Sequence, residues 1–404
     1  MRRIVFLLFF ICTVQLLQPA RDPSIHDLKK AVVQFGRLGF KTDLPVRYIN
    51  KKQLEQYIIK VFDQDYPDDM AEKDAFFLYV MGFAQKRINI KKARKRILIN
   101  NIGGMYNERT KELYALSEYR KINRVNSLVI IHELRHSIQD QYFNLENVLG
   151  KLSDFDDRKL AVLAAVEGDA TLVMVEFGGF IPEVLTSQNA DALMSFSPIS
   201  NTSGLYNYPD ILKHQLTMPY IEGLKFTYSI LKKKKWKAVN RILTSPPMSS
   251  EQVLHPEKYL KKEMPRKIEI GYKPENYTLY HSGVIGEFYL GILIKGGGDF
   301  VDLAAGWGGD RFEIYRKPSQ YILLWESSWD RDKFAGTFMV IFRQFIEKEF
   351  LVNFKAGNIK GTPFMAGNSQ YGYFFLRRFK DKLFFVRTND RQAMNQFINR
   401  GYYD

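Results

Sequence analysis

The order of apolar and polar positions predicts a buried helix near residue 130. A polar side chain at Asn126 or Ser127 can cap the free backbone N–H groups at its start. The next four residues, Leu128–Ile131, are all apolar, and the segment from Ser137 to Phe143 is amphipathic. Because a helix that is apolar on every side must be covered by protein, we expect its entry to lie in the core.

A second buried helix is predicted for residues 159–174, with Ser153 or Asp154 as its cap. After Lys159 its residues are apolar until Glu167 and Asp169 interrupt them. Acids inside a buried helix need a partner, which is either a metal ion or an arginine or lysine. Gly168 costs helix stability, about 1 kcal/mol relative to alanine, so we expect another part of the chain to approach closely there.

Other segments predict strands and a further helical region. A short strand is expected at Val46–Ile49, and paired strands at Arg96–Ile99 and Glu112–Leu116 with a turn between them. Residues 205–244 read as helical, and Phe374–Leu376 with Leu383–Val386 predict a C-terminal hairpin. The chain is therefore expected to be α+β, with an N-terminal α/β region (21–95), a central core (96–260) and a mixed α/β C-terminal region (261–404).

The first 20 residues match a signal peptide. Basic residues at the start precede the apolar stretch Ile4–Leu17, which is shorter than the roughly 20 residues that a membrane-spanning helix needs. Gln18-Pro19-Ala20 is a plausible signal-peptidase cleavage site. We therefore expect export to the periplasm, the cell surface or the medium. The alternatives are an uncleaved anchor or a lipoprotein on Cys12. Since Cys12 is the only cysteine, a cleaved chain would have neither disulfides nor thiolate zinc ligands.

Composition and charge narrow the range of partners. The chain is 46% hydrophobic, which suffices for a large core, and its net charge is +15. The sharpest basic run, Lys232–Lys235, indicates either affinity for an anionic envelope surface or simply a solvated helix end. No nucleic-acid-binding motif is present, so nucleic acid is not expected as a partner. The sequence does not define the oligomeric state.

The candidate chemistry lies in His132-Glu133-Leu134-Arg135-His136. Two imidazoles four residues apart on a helix project from one face, so a single metal ion can bind both, and the glutamate between them can take a proton from a water that the metal activates. The alternative is an ordinary amphipathic helix that happens to carry two histidines. A zinc hydrolase needs a third ligand, and Glu167 is the best candidate.

Further residues are candidates for supporting roles. Asp140, one turn beyond His136, is expected either to orient an imidazole or to be a solvated helix residue. Asp169 points away from Glu167 on a regular helix, so it would anchor its helix to another element. Stabilisation of the oxyanion that forms during hydrolysis requires a hydrogen-bond donor, for which His255, Tyr220 and then His281 are the candidates.

With these motifs the chain resembles the glutamate-zincin metallopeptidases, the broad thermolysin-like group. More closely, it is similar to a poorly characterised set of bacterial secreted HExxH proteins. The resemblance rests on the motif, on the Gln-Asp-Gln-Tyr-Phe that follows it and on the later Glu-Gly-Asp-Ala. It also includes three further blocks: Gly104–Lys111, Pro246–Pro256 and Ala304–Arg311.

The resemblance implies a thermolysin-like core, in which a strand ribbon precedes the HExxH helix and a second helix carries the glutamate ligand. It implies that His132, His136 and Glu167 bind zinc and that Glu133 is the general base. The chain departs from the thermolysin pattern in two respects. Thirty residues separate His136 from Glu167, and Thr171 stands where that group has a supporting aspartate.

The function expected from these observations is that of an exported zinc metallopeptidase acting on a peptide or protein. The alternative is a catalytically idle, envelope-associated protein that uses a zincin-like fold and a basic surface for binding. The two hypotheses differ at Glu133, since catalysis requires this carboxylate and structural zinc does not.

Overall fold

The computed structural model of this protein describes residues 23–100, 103–149, 155–180, 182, 208–294, 304–359 and 361–400. The expected signal peptide and the proposed caps Ser153 and Asp154 lie outside these residues. The described part of the chain is α+β, as the sequence predicts. Across these residues, no helix combines the length and the apolar character that crossing a bilayer requires.

The N-terminal elements are α1 (Ile25–Gly36), β1 (Val46–Ile49), α2 (Lys51–Asp65), α3 (Asp68–Met81) and α4 (Ile90–Asn100). Ser24 and Asn50 each form a capping box that starts α1 and α2. Strand β1 is confirmed, but the strand predicted at Arg96–Ile99 is wrong because these residues form the last turns of α4. There Ile90, Ala93 and Ile97 are buried at helical spacing.

A three-stranded sheet lies beside the HExxH helix. Its strands are β1, β2 (Gly104–Asn107) and β3 (Glu112–Leu116), in the order β1-β3-β2, so β2 is an edge strand. Strand β3 is confirmed, and its antiparallel partner is β2. The Asn107 carboxamide accepts the backbone N–H groups of Arg109 and Thr110, which fixes the turn between them.

Two long helices carry the candidate ligands. Helix α5 (Arg124–Phe143) begins three residues before the predicted start because Asn123, rather than Asn126 or Ser127, is the cap. Asn126 closes the capping box by accepting the Asn123 N–H. The short helix α6 (Leu145–Leu149) follows, and then α7 (Asp157–Phe177), whose cap is Asp156.

Helix α8 (Asp210–Val239) packs closely on α7. A Cβ atom built on Gly168 would lie 2.2 Å from the Gly223 carbonyl, and one on Gly223 would lie 2.2 Å from the Ala164 oxygen. The Thr227 hydroxyl donates to the Gly168 oxygen across this contact at 3.0 Å. The close approach expected at Gly168 is therefore confirmed, and its partner is the backbone of α8.

The C-terminal part forms a seven-stranded sheet after the short helices α9 (Ser250–Leu254) and α10 (Pro256–Lys261). Its antiparallel order is β4-β5-β6-β10-β9-β8-β7. The elements in chain order are β4 (Thr278–Gly283), α11 (Gly286–Leu293), β5 (Trp307–Lys317), β6 (Gln320–Trp329), α12 (Asp332–Glu349), β7 (Lys355–Ile359), β8 (Thr362–Ser369), β9 (Gly372–Phe379), β10 (Lys382–Thr388) and α13 (Arg391–Arg400). The predicted C-terminal hairpin is confirmed as β9 and β10.

Aromatic packing attaches helices to both faces of this sheet. On one face Trp329 meets Phe338 of α12 with ring centroids 4.4 Å apart, and on the other Phe375 meets Phe397 of α13 at 5.2 Å. The larger hydrophobic cluster is continuous from Leu28 to Phe385, so it joins the sheet to the N-terminal and central helices.

Candidate metal centre

Three potential ligand atoms converge between α5 and α7. The Nε2 atoms of His132 and His136 lie 3.0 Å apart, and a carboxylate oxygen of Glu167 lies 3.1 Å from the first and 3.4 Å from the second. The two histidines share a face because they are one helical turn apart. The packing of α7 against α5 adds the carboxylate from the opposite side.

The spacing of these atoms suits zinc. Tetrahedral zinc with bonds of about 2.0–2.1 Å places neighbouring ligand atoms about 3.3 Å apart, and the three separations here span 3.0–3.4 Å. Two imidazoles and one carboxylate also form a donor set that catalytic zinc uses, with a position left for water or substrate. The residues present therefore fit a zinc ion.

The Glu167 carboxylate and the two imidazoles stabilise one another's charged forms. Burial alone would raise the pKa of Glu167, but the two imidazoles outweigh burial and hold that pKa well below its usual range. Burial opposes a charge on His136, yet the Glu167 carboxylate outweighs it and raises the pKa of the imidazole to about 9. A positive charge next to the Glu167 carboxylate is therefore electrostatically favoured in this pocket.

Glu133 faces the same cavity and is anchored by the edge strand. One of its carboxylate oxygens accepts the backbone N–H of Tyr106 in β2 at 2.7 Å. The side chain is buried, and burial raises its pKa above the usual value for a glutamate. A carboxylate with a raised pKa beside a candidate metal site is suited to take and return a proton.

Among the candidate oxyanion donors, Tyr220 is the one that reaches this centre. Its ring stacks on His132 with centroids 6.0 Å apart, and its side chain lines the same cavity as Glu167. Burial and the nearby carboxylates raise the pKa of Tyr220 well above its usual value, so the phenol keeps its proton and can donate a hydrogen bond.

His255 and His281 lie elsewhere, so the structure does not support catalytic roles for them at this centre. The Nε2 atom of His255 lies 2.8 Å from the buried carboxylate of Glu287, and His281 lies 3.5 Å from Asp74. Neither residue lines the cavity that contains His132. Their tertiary positions depend on contacts far along the chain, which local sequence does not encode.

Asp140 neither orients an imidazole nor is solvated, which corrects both expectations for it. Its buried carboxylate accepts the Tyr106 hydroxyl and the Lys111 ammonium, each at 2.6 Å, and the Leu145 backbone N–H at 2.9 Å. These bonds tie β2 and its turn to the end of α5. Asp140 therefore supports the strand that anchors Glu133.

Gln139 is the orienting residue that the sequence reasoning missed. Its Nε2 donates to the Val166 carbonyl at 3.0 Å and to Asp169 at 2.8 Å, and both partners can only accept. The Gln139 oxygen therefore faces the Nδ1 of His136, 2.9 Å away, and that nitrogen must carry a hydrogen. The Nε2 of His136 is then the nitrogen available to a metal.

Asp169 anchors α7, as expected. Its two oxygens accept the Arg135 guanidinium at 2.9 and 3.0 Å, and Arg135 also donates to Asn240. A buried network thus leads from Arg135 through Asp169 and Gln139 to His136. The signal available in the sequence was a glutamine three residues after the second histidine, on the side of α5 that faces α7.

Substituting methionine for Gln139 should lower zinc affinity by about 10- to 100-fold, since it removes the acceptor that orients His136 but keeps a similar volume. Zinc affinity would be measured by competition with a chromogenic chelator. Gln141→Met is the matched control, because Gln141 lies on the same helix and, among the described residues, bonds to the backbone of Lys41 and Thr42 rather than to the candidate centre. Equal affinities of the two variants would contradict an orienting role.

The cavity around these residues has a volume of about 270 Å³ and a largely apolar wall. Its other lining residues are Ile58, Ile97, Leu98, Gly104, Met105, Tyr106, Glu108, Leu145, Leu149, Leu163, Val166 and Leu216. Larger clefts occur elsewhere, including one of about 870 Å³. The convergence of ligand atoms, rather than volume, identifies this cavity as the candidate centre.

Comparison with protein families gives a match in the C-terminal part of the chain. A family model described as a domain of unknown function (DUF8575) matches residues 277–396, which contain the seven-stranded sheet. His132, Glu133, His136 and Glu167 all precede the matched segment. No curated protein and no solved structure matches the chain.

Proposed function

We propose that this protein is a zinc metallopeptidase of the glutamate-zincin type. The observation that carries the proposal is the convergence of His132, His136 and Glu167 within 3.4 Å of one another, with Glu133 on the same cavity. A structural zinc site is closed by four protein ligands, whereas the described residues supply three ligands here and leave a position open.

Each residue has a definite role in the proposed reaction. Zinc, held by His132, His136 and Glu167, would polarise a peptide carbonyl and lower the pKa of water. Glu133 accepts a proton from the attacking water and returns it to the leaving amine. Tyr220 donates a hydrogen bond to the oxyanion that develops on the carbonyl.

The position of β2 supports a peptide substrate. Because β2 is the edge of its sheet and contributes Met105 and Tyr106 to the cavity wall, an extended peptide could pair with it beside Glu133. A strand ribbon beside the HExxH helix, with a glutamate helix opposite, is also what the proposed thermolysin-like core would require. The proposal of export rests on residues 1–20 of the sequence.

Metal analysis and a peptide screen test this proposal. The purified protein should contain one zinc ion per chain, and a diverse peptide library should be cleaved in a reaction that 1,10-phenanthroline stops and added zinc restores. Failure to bind metal at micromolar zinc would contradict both the site and the enzyme class. Zinc binding without cleavage of any peptide would instead favour the idle, envelope-associated binding protein.

A further inference from the structure

A second cleft, separate from the metal centre, lies between the N-terminal helices and the C-terminal sheet. It has a volume of about 870 Å³. One wall consists of the end of α3 and the segment that follows it, including Gln85, Lys86 and Arg87. The opposite wall consists of residues 318–320 at the β5–β6 turn and residues 369–372 at the β8–β9 turn.

Buried polar contacts hold the two walls in place. Arg387, which is fully buried, donates to the carbonyls of Tyr79 and Val80 on one wall and of Tyr371 on the other, at 2.8–3.3 Å. The Asn389 side chain accepts the Tyr321 N–H and donates to the Ser319 carbonyl, which fixes the β5–β6 turn. The cleft is therefore pre-formed, as ligand sites usually are.

The cleft carries positive charge that its own walls do not neutralise. Lys86, Arg87 and Arg316 line it, and none of the described residues that line it is acidic. The guanidinium carbons of Arg87 and Arg316 lie 4.6 and 5.0 Å from the centre of the Phe76 ring, so two like charges flank one side chain. The carboxylate of Glu72, outside the cleft, lies 3.9 Å from Arg316. An anion bound in the cleft would offset part of this positive charge.

The remaining lining residues favour a ligand with both apolar faces and hydroxyl groups. Tyr79, Tyr321, Tyr371 and Tyr373 supply aromatic surface, while several amides and hydroxyls supply donors and acceptors: Gln85, Ser319, Gln320, Ser369, Gln370 and Asn389. A peptide strand has no edge to pair with here, because β5, β6, β8 and β9 each have neighbours on both sides.

We propose that this cleft binds an acidic oligosaccharide, a sugar chain that carries carboxylate groups. Its carboxylates would meet Arg87 and Arg316, its hydroxyls the amides, and its ring faces the tyrosines. The site is independent of the metal centre. It also differs from the lysine run Lys232–Lys235, whose side chains are exposed on α8.

Calorimetric titration of the full-length protein tests the proposal with defined probes. Tetragalacturonate should bind at least about 10-fold more tightly than neutral maltotetraose, since one lost charge-assisted hydrogen bond weakens binding by that order. The double variant Arg87→Gln/Arg316→Gln should lose at least about 10-fold in affinity for tetragalacturonate. The matched control Lys233→Gln/Lys234→Gln removes the same net charge and should bind as the wild type does.

Several outcomes would overturn the proposal. Equal binding of tetragalacturonate by the wild type and the double variant would show that the cleft is not the site. If polyglutamate or inorganic phosphate bound as tightly as tetragalacturonate, the cleft would be a general anion site. If maltotetraose bound as tightly, carboxylate groups on the sugar would not be needed for binding. Absence of binding at millimolar tetragalacturonate would remove the site altogether. Lys86→Gln, at an exposed position, provides a second variant if the double variant does not fold.

Discussion

Replacing Glu133 with glutamine should lower the rate of peptide cleavage by about 10²- to 10⁴-fold, which is the usual contribution of a general base, while zinc remains bound. The amide has the shape of the carboxylate, and its oxygen can still accept the Tyr106 N–H, which Glu133 accepts at 2.7 Å. It cannot take a proton from water. The three candidate metal ligands are unchanged, so zinc content should match that of the wild type.

The measurement is the initial cleavage rate of the best peptide in the library screen, together with zinc content per chain. Glu118→Gln is the matched control, because it makes the same chemical change on an exposed 3₁₀ turn and should leave the rate unaltered. Unchanged cleavage by Glu133→Gln with intact zinc would contradict the general-base mechanism. Loss of zinc would instead show that Glu133 helps to hold the metal.

Replacing Gly168 with alanine should destabilise the protein by about 3 kcal/mol or more, at the upper end of the cost of overpacking, and should weaken zinc binding as well. The added methyl group would lie 2.2 Å from the Gly223 backbone, which cannot move aside as a flexible side chain can. Helices α7 and α8 must then separate. Glu167 is the adjacent residue on α7, so the shift would displace a candidate ligand.

Thermal unfolding and zinc titration measure the two effects. Gly223→Ala should resemble Gly168→Ala, because its methyl group would lie 2.2 Å from the Ala164 oxygen on the other side of the same contact. Gly39→Ala is the control, since its methyl group would only approach Val33, at 4.0 Å, and its effect should stay within about 0.5 kcal/mol. If Gly168→Ala melted at the wild-type temperature, α7 and α8 could not be packed as closely as the 2.2 Å approach at Gly223 requires.

Local spacing was sufficient to predict the centre of the candidate site. His132 and His136 share a helix face whatever the rest of the fold, because four residues make about one turn. Glu167 was recognisable as an acid in an otherwise apolar helix, which needs a partner once it is buried. Both inferences depend on the residue spacing and polarity within a single helix, which do not change with the packing of the other elements.

The inferences that failed depended on contacts between elements. Gln139 and Asp140 are both about one turn from His136, and only the packing of α7 on one side and β2 on the other decides which of them orients the imidazole. Residues 96–99 contain the short apolar run Ile97–Ile99, which is equally compatible with a strand and with a helix. The burial of Ile97 together with Ile90 and Ala93, at helical spacing, selects the helix α4. The cleft that contains Phe76 and Tyr373 joins residues some 300 positions apart and leaves no local pattern.

Arg387 ties the C-terminal sheet to the last turn of α3, because its guanidinium donates to the Tyr79 and Val80 carbonyls. A fragment cut at residue 277 would keep the strands but lose the Tyr79 and Val80 carbonyls. The guanidinium would then remain among the rings of Phe350 and Phe374 with fewer acceptors for its charge. The segment matched by the family model, residues 277–396, therefore contains Arg387 but not the α3 carbonyls that its guanidinium binds.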